Sequence, residues 1–316
     1  MNVKAPKSIE HGVDREMIAG RLTKLMDAVE KGLATIGQHD TPKAVHDARI
    51  AVHRLWIALR HLKRVLPHRE RKRCMTALFA IMKESNAVRD ADVRERLVQK
   101  FLIRAGFQDH EQTRMLRAAA AQDCAATRKE LRRRMDAPKW DERLWDLRQN
   151  EIVLLRSECG DSPIELIRSA LSRHCRRLHR ELQKRVYKVR QLHRLRLRIK
   201  DARYFAEDFG PLLGAPSDVE LTQLRRLQKV LGDLHDEWRM GKWLRKQYKC
   251  YLVTSAVLRL LKAHKRKLFK EIQRRRKECM PFVRNVAKVR GGAPFPSRMR
   301  PGTIPKRALE NHPARQ

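Results

Sequence analysis

Apolar residues along this chain recur every three or four positions, the period of an α-helix that packs on one side. Residues 15–37 show this pattern first, and Gly37 offers a stop. Thr41 then precedes Pro42, a pairing typical of a helix N-cap followed by proline in the first turn. The second helix is predicted to run to about Leu66, ahead of another proline.

The helical period continues through most of the remaining sequence. Ser162 and Pro163 repeat the cap-and-proline pairing and open a second group of helices. No strand pair or alternating run interrupts the pattern, so the predicted fold class is all-α. The further helices are predicted at 69–88, 90–105, 109–136, 140–157, 163–189, 190–210, 217–247 and 251–279.

The two ends of the chain lack this period. Residues 1–14 are predicted to be a flexible N-terminus. Residues 281–316 are rich in proline and glycine and hold eight Lys or Arg against one acid, Glu310. This composition predicts a disordered basic tail, because too little apolar surface is available for burial.

A polar and an apolar helical stripe each occur twice, 147 residues apart. At 100° per residue, the polar positions of the first copy fall within about 80° of one another, opposite an apolar face. The chain is therefore predicted to contain two homologous helical halves, 15–157 and 160–280. The first polar stripe is His46, Arg49, His53, Trp56, Arg60 and Arg64, and the second is His193, Arg196, Lys200, Arg203 and Glu207.

The segments after each stripe also correspond. KESNAVRDADV, at 83–93, aligns with KVLGDLHDEWR, at 229–239, and this alignment pairs Arg89 with His235. Duplicated halves commonly pack about a pseudo-twofold axis. The two stripes would then face one shared channel.

The charge of the chain points to an anionic partner. It has 73 Lys and Arg against 36 Asp and Glu, a formal net charge of +37. Self-repulsion at this density opposes compaction, so a polyanion that relieves it is expected. Nucleic acid, an anionic membrane surface and a phosphate polymer are candidates, as is an arginine-rich composition without functional meaning. With only 5% aromatic residues, a stacking platform for single-stranded nucleic acid is not indicated.

Several other classes are excluded by the sequence. The longest uncharged apolar runs are nine residues, Cys74–Met82 and Cys250–Leu258, too short to cross a membrane. No apolar signal segment is present at the N-terminus, so export is not expected. The six cysteines form no CxxC pair, which argues against zinc and fits reduced thiols in the cytoplasm.

The polar stripe suits an extended anion better than a metal ion. His46 and His53 are two helical turns apart, about 10 Å along the axis, which no single metal ion spans. Arginine can hold two phosphate oxygens at once, and a stripe of cations offers donors at each turn. An isolated charged stripe is usually a solvated face, but its repetition beside a repeated apolar face favours binding.

These segments together resemble the CHAD domain, a helical domain named for its histidines. The resemblance covers about residues 15–280. It implies two four-helix bundles related by a pseudo-twofold axis, with a basic central groove that binds inorganic polyphosphate. It further implies a non-catalytic protein without a cofactor, located at polyphosphate granules. The motifs are VHDARIAVHRLWIALRHLKRVLP with SNAVRDADV, and LHRLRLRIKDARYFAEDF with LQKVLGDLHD.

Carried over position by position, the resemblance implies a set of polyphosphate-binding residues. Arg60 and Arg64 continue the first stripe and are included, although a place at its solvated end suits them equally well. The other members are His46, Arg49, His53, Arg54, Arg89, His193, Arg196, Lys200, Arg203, Tyr204 and His235.

The first half departs from the family pattern. His53 stands where the family usually has Arg or Lys, Trp56 where Arg is common, and Asn86 replaces the usual glycine; His235 replaces an asparagine in the second half. Phosphate nearby favours the protonated imidazole, so His53 is expected to make polyphosphate affinity rise as the pH falls from about 8 to about 6. The substitution His53→Arg is expected to flatten that rise.

Other residues have plainer interpretations. Trp140, Trp145 and Trp243 are expected in the core. Asp90 and Asp92 resemble a metal-binding pair, but are expected to cap a helix or orient the neighbouring Arg89.

Two alternative functions stay open. His-Asp dipeptides occur at 39–40, 46–47 and 235–236, as in helical metal-dependent phosphohydrolases, but a full ligand set is not evident. Binding of nucleic acid through net charge alone is the other alternative, without base preference and strongly dependent on salt. The oligomeric state does not follow from the sequence.

Overall fold

In a computed structural model, the structure describes residues 7–64, 66–156, 162–184, 189–213, 218–247 and 252–288. Within these ranges the chain forms helices and no strand, so the all-α prediction is confirmed. None of the helices in these ranges is long and apolar enough to cross a bilayer. The helices are α1 (Lys7–Gln38), α2 (Pro42–His61), α3 (His68–Glu84), α4 (Asn86–Ala105), α5 (Glu111–Met135), α6 (Pro138–Arg156), α7 (Pro163–Gln183), α8 (Val189–Phe209), a 3₁₀ turn (Gly210–Leu213), α9 (Asp218–Gln247) and α10 (Leu252–Lys288).

Local chemistry explains where the helices near the predicted site begin and end. The Thr41 hydroxyl oxygen accepts a hydrogen bond from the Ala44 amide at 3.1 Å, as its position before proline predicted. α2 ends at His61, short of the predicted Leu66. The helix predicted at 69–88 is interrupted at Ser85, where α3 gives way to α4. Ser162 precedes α7 as expected, but its side chain makes no capping hydrogen bond.

Both terminal helices extend past the predicted boundaries. α1 begins at Lys7, inside the segment predicted to be flexible. α10 runs through Pro281 to Lys288, inside the predicted tail. Phe282 and Val283 are buried, and their packing offsets the backbone hydrogen bond that proline removes. Residues 289–316, on which the rest of the tail prediction falls, lie outside the described residues.

The core joins the two predicted halves. α1 packs on α2 and also contacts α7 and α8, while α10 packs on α7 and α9 and also contacts α4. Both apolar clusters of the described residues draw side chains from each half. In addition, α2 contacts α8 and α4 contacts α9, which brings the helices that carry the repeated motifs together. Their relation by a pseudo-twofold axis stays a prediction.

Candidate anion-binding site

Five basic side chains meet around the contacts of α2 with α8 and of α4 with α9. We call them the central cluster: Arg49 and His53 from α2, Arg89 from α4, and Arg196 and Lys200 from α8. Their positive charges act on one another, since Arg89 helps to lower the pKa of both Arg49 and Arg196. The structure thus brings cations of the two predicted stripes into one region.

Arg49 is fixed by neutral acceptors. Its guanidinium donates to the Met82 carbonyl at 2.8 Å, the Ser85 hydroxyl at 2.6 Å and the Asn86 side-chain oxygen at 2.8 Å. Burial, followed by the charge of Arg89, lowers the pKa of Arg49 to about 10. Arg49 is therefore rigidly held at the junction of α3 and α4, while no carboxylate of the described residues pairs with it.

Lys200 is the member of the central cluster whose protonation changes near neutral pH. Burial, then the charges of Arg196 and Arg49, lowers its pKa from 10.5 to about 7. Its ammonium lies 5.7 Å from the centroid of the Tyr204 ring. Within the described residues it makes no ion pair. Its lowered pKa therefore leaves the ammonium only partly protonated near pH 7 in the free protein.

Arg196 likewise makes no ion pair within the described residues. Its Nε is buried and has no hydrogen-bond partner. Burial lowers the pKa of Arg196, Arg89 lowers it further and Asp236 opposes the change. The guanidinium lies over Gly232, with its Nε 3.6 Å from the place of a Cβ at that glycine. In the aligned position of the first half, Asn86 instead accepts a hydrogen bond from Arg49.

His53 is neutral in the free protein, and the pH dependence of binding expected from it stays a prediction. Burial, followed by the charges of Lys200 and Arg49, lowers its pKa to about 2. Its Nε2 is buried without a hydrogen-bond partner, and its ring stacks on Trp56 with centroids 6.1 Å apart. Sequence alone could not give this result, because the burial of the ring depends on how α2 packs against the other helices.

Histidines flank the central cluster. His46 lies in the second turn of α2, and partial desolvation of its ring, then the charge of Arg89, lowers its pKa. His193 and His235 lie with ring centroids 4.7 Å apart in a cavity of about 500 Å³ between α4, α8 and α9. Burial and then His193 lower the pKa of His235 to about 4. These rings supply hydrogen-bonding groups but little fixed charge at neutral pH.

Reciprocal ion pairs join α4 to α9 beside this cavity. Arg89 donates to Asp236 at 3.3 Å, and Arg239 donates to Asp90 at 2.6 Å. Asp90 forms its ion pair with Arg239, and Asp92 forms its ion pair with Arg128. Neither carboxylate orients Arg89 through an ion pair, which was one of the two roles expected of them. Among the described residues, no group of three His, Cys, Asp or Glu could hold a metal ion.

Three of the predicted binding residues have structural roles in the free protein. Arg54 donates to Asp208, which also accepts from Arg21. Arg203 donates to Gln228 and to Glu207 at 2.9 and 2.8 Å. Tyr204 is only 3% exposed, with the Arg203 guanidinium 4.2 Å from its ring centroid. These contacts neutralise or bury the groups, so they differ from Arg49, Arg196 and Lys200, which make no ion pair within the described residues.

Arg60 and Arg64 do not join the central cluster. They line a second cavity, together with Arg71 of α3 and with Arg173 and Arg177 of α7. Sequence analysis missed the two α7 arginines because they belong to neither repeated stripe. Their spacing of four residues on a helix was the available signal.

The tryptophans follow the core expectation only in part. Trp140 is buried, whereas Trp145 is 62% exposed. Trp243 is half-buried and its indole N–H donates to Asp123 at 3.2 Å. The expectation was wrong for Trp145, which faces solvent on α6.

The protein is all-helical in its described residues, and partly buried basic groups of α2 and α8 lie there without ion-pair partners. The family model described as "CHAD domain" matches residues 17–245. The chain therefore belongs to the CHAD domain family, as its motifs suggested. A comparison with curated protein sequences gives no match.

Two solved structures are similar to this chain in fold. The CHAD domain from the plant Ricinus communis has a TM-score of 0.62 at 19% identity, covering 88% of this chain and 92% of its own. PptA from Streptomyces chartreusis has a TM-score of 0.65 at 13% identity, covering 84% of this chain and 99% of its own. At these identities the likeness concerns the fold alone.

Proposed function

We propose that this protein binds inorganic polyphosphate through the central cluster and does not hydrolyse it. The observation that supports this most is the state of Arg49, Arg196 and Lys200, which are partly buried and make no ion pair within the described residues. Buried cations without counter-ions are costly, and a bound polyanion relieves that cost.

A linear phosphate polymer fits the cluster better than a nucleic acid does. The cluster offers guanidinium and ammonium donors, which suit closely spaced phosphate oxygens. The nearby rings offer little stacking surface, since Tyr204 is buried and Trp56 packs against His53. Polyphosphate is also the ligand that the family resemblance implies. In a cell, such binding would direct the protein to polyphosphate granules.

The test compares long-chain polyphosphate binding by two variants of the full chain. Arg196→Gln/Lys200→Gln removes two cluster cations that make no ion pair in the described part of the protein. Arg114→Gln/Lys129→Gln removes two exposed charges from α5 and is the matched control. We expect about a hundredfold loss of affinity in the first variant only, because each charge-assisted contact contributes roughly tenfold or more.

Two further measurements separate the alternative functions. Polyphosphate should displace DNA at equal phosphate concentration, while DNA should displace polyphosphate poorly. Equal losses in both variants, or efficient displacement by DNA, would indicate binding through net charge alone. Release of orthophosphate after addition of a divalent metal would instead indicate a phosphohydrolase.

A further inference from the structure

A second basic cavity lies at the C-terminal end of α2. Its volume is about 480 Å³, within the usual range for sites that hold small molecules. No acidic side chain of the described residues lines it. Its lining comprises His61 and six cations: Arg60, Lys63, Arg64, Arg71, Arg173 and Arg177.

Three cations of this cavity, Arg71, Arg173 and Arg177, make no ion pair within the described residues. Burial lowers the pKa of Arg173, and the charges of Arg64, Arg176 and Arg177 lower it further. Arg71 donates to the thioether sulfur of Met75 at 3.2 Å, a weak acceptor, and its Nε is buried without a partner. These arginines therefore have donor capacity that the described protein groups leave unused.

Two histidines beneath the cations add unused polar atoms. His61 lines the cavity and lies against buried His174, with ring centroids 3.9 Å apart. The Nε2 atoms of both rings have no hydrogen-bond partner. Burial is the main reason that the pKa of His61 falls to about 2 and that of His174 to about 3. The wall of the cavity thus adds polar capacity without a negative charge.

The cavity is separated from the central cluster along α2. The rise from His53 to Arg60 is about 10 Å. Trp56 lies between them, and the Arg60 guanidinium stacks over its ring at 5.1 Å. Arg60 is also held by Asp201 of α8, with a nitrogen–oxygen distance of 3.5 Å. An aromatic ring and an ion pair therefore stand between the two groups of cations.

We propose that this cavity is a second anion site, which holds a compact group of several linked phosphates independently of the central cluster. Cations contributed by α2, α3 and α7 surround such a group on several sides, whereas a single monovalent anion would leave most of their charge unbalanced. The C-terminal segment 281–316 is a poor internal substitute, since its one acid is Glu310. The phosphates can come from a free small oligophosphate or from the end of a long chain.

The test titrates the full-length protein with inorganic tripolyphosphate in a calorimeter. The wild type should bind two equivalents. Arg173→Gln/Arg177→Gln and Arg196→Gln/Lys200→Gln should each lose one equivalent, or weaken it at least tenfold, while Arg114→Gln/Lys129→Gln should keep both. If the α7 variant does not fold, Lys63→Gln/Arg71→Gln removes cations from the other side of the same cavity.

Unchanged stoichiometry and affinities in a folded cavity variant would overturn the proposal, as would a single wild-type equivalent that disappears in the Arg196/Lys200 variant. Failure of the polyphosphate proposal shows separately, because the wild type would then bind one equivalent, which the Arg196/Lys200 variant retains and the Arg173/Arg177 variant loses. Labelled long-chain polyphosphate distinguishes the two sources. A tenfold loss of its affinity in the α7 variant indicates a bound chain end, and unchanged affinity indicates a free oligophosphate.

Discussion

Arg49 on α2 lies close enough to Lys200 on α8 for its charge to help lower the lysine pKa, which burial and Arg196 bring to about 7. The two cations come from different predicted halves and share no carboxylate in the described part of the chain. The ammonium is consequently about half protonated near neutral pH in the free protein. A ligand that supplies negative charge would change that balance.

Lys200 should make polyphosphate affinity depend on pH. A bound phosphate chain stabilises the ammonium and raises its pKa in the complex, so binding requires the proton that the free protein loses above pH 7. Affinity should be greatest below pH 7 and should fall about fivefold from pH 7 to 8 and about fiftyfold from pH 7 to 9. Dissociation constants measured from pH 6 to 9 at constant ionic strength check this.

The matched control for this profile is Lys200→Arg, which keeps the positive charge throughout the range. Its affinity should vary less than about twofold over the same pH range. A decline as steep as that of the wild type would assign the titration to another group.

The same lysine should lower the stability of the free protein. Its folded pKa lies below its unfolded value, so the cost is fully present below pH 7 and disappears as pH rises toward 10.5. Lys200→Met should therefore raise the melting temperature by about 2 °C or more at pH 6, and by much less near pH 10. Thermal unfolding without phosphate measures this, with exposed Lys129→Met as the control.

Loss of stability in Lys200→Met at pH 6 would show that the ammonium makes a favourable contact in the folded state. With the expected result, the residue that strengthens binding weakens the fold. Such an opposition is common at sites formed for a ligand rather than for packing.

His53 should contribute little to the pH dependence. Its pKa of about 2 keeps the ring neutral in the free protein, and a bound phosphate would have to raise that value by several units before the ring protonated near pH 6. We expect His53→Gln to retain the wild-type pH profile between pH 6 and 8 within about twofold. A profile that became flat in this variant, with Lys200 intact, would restore His53 as the titrating group.

The helical period predicted the fold class because a helix that packs on a core buries one apolar face. That face gives the same three- to four-residue spacing whatever the helix packs against. Thr41 and Pro42 fixed the start of α2 through local chemistry alone. Repetition of the stripe predicted that Arg49 and Arg196 face one channel, and in the structure the charge of Arg89 helps to lower the pKa of both.

Whether each arginine has a carboxylate partner could not be predicted in this way. Arg54 and Arg196 are both arginines on the repeated helices, yet one meets the buried Asp208 and the other lies over Gly232. The carboxylate is 154 residues from Arg54 in sequence, so only the packing of α2 on α8 reveals the pair. The contribution of α7 to the second cavity is hidden for the same reason.

Arg54 should therefore act on stability more than on binding. Asp208 is 1% exposed in its side chain and accepts from both Arg54 and Arg21, so loss of Arg54 leaves a buried carboxylate with one partner. Arg54→Gln should lower the free energy of unfolding by about 2 kcal/mol, while polyphosphate affinity of the folded protein falls less than about threefold. Arg196→Gln should show the opposite pattern, with at least a tenfold loss of affinity and no loss of stability. Urea unfolding and polyphosphate titration of both variants decide the matter: a tenfold loss of affinity in Arg54→Gln, at unchanged stability, would place Arg54 among the ligand contacts instead.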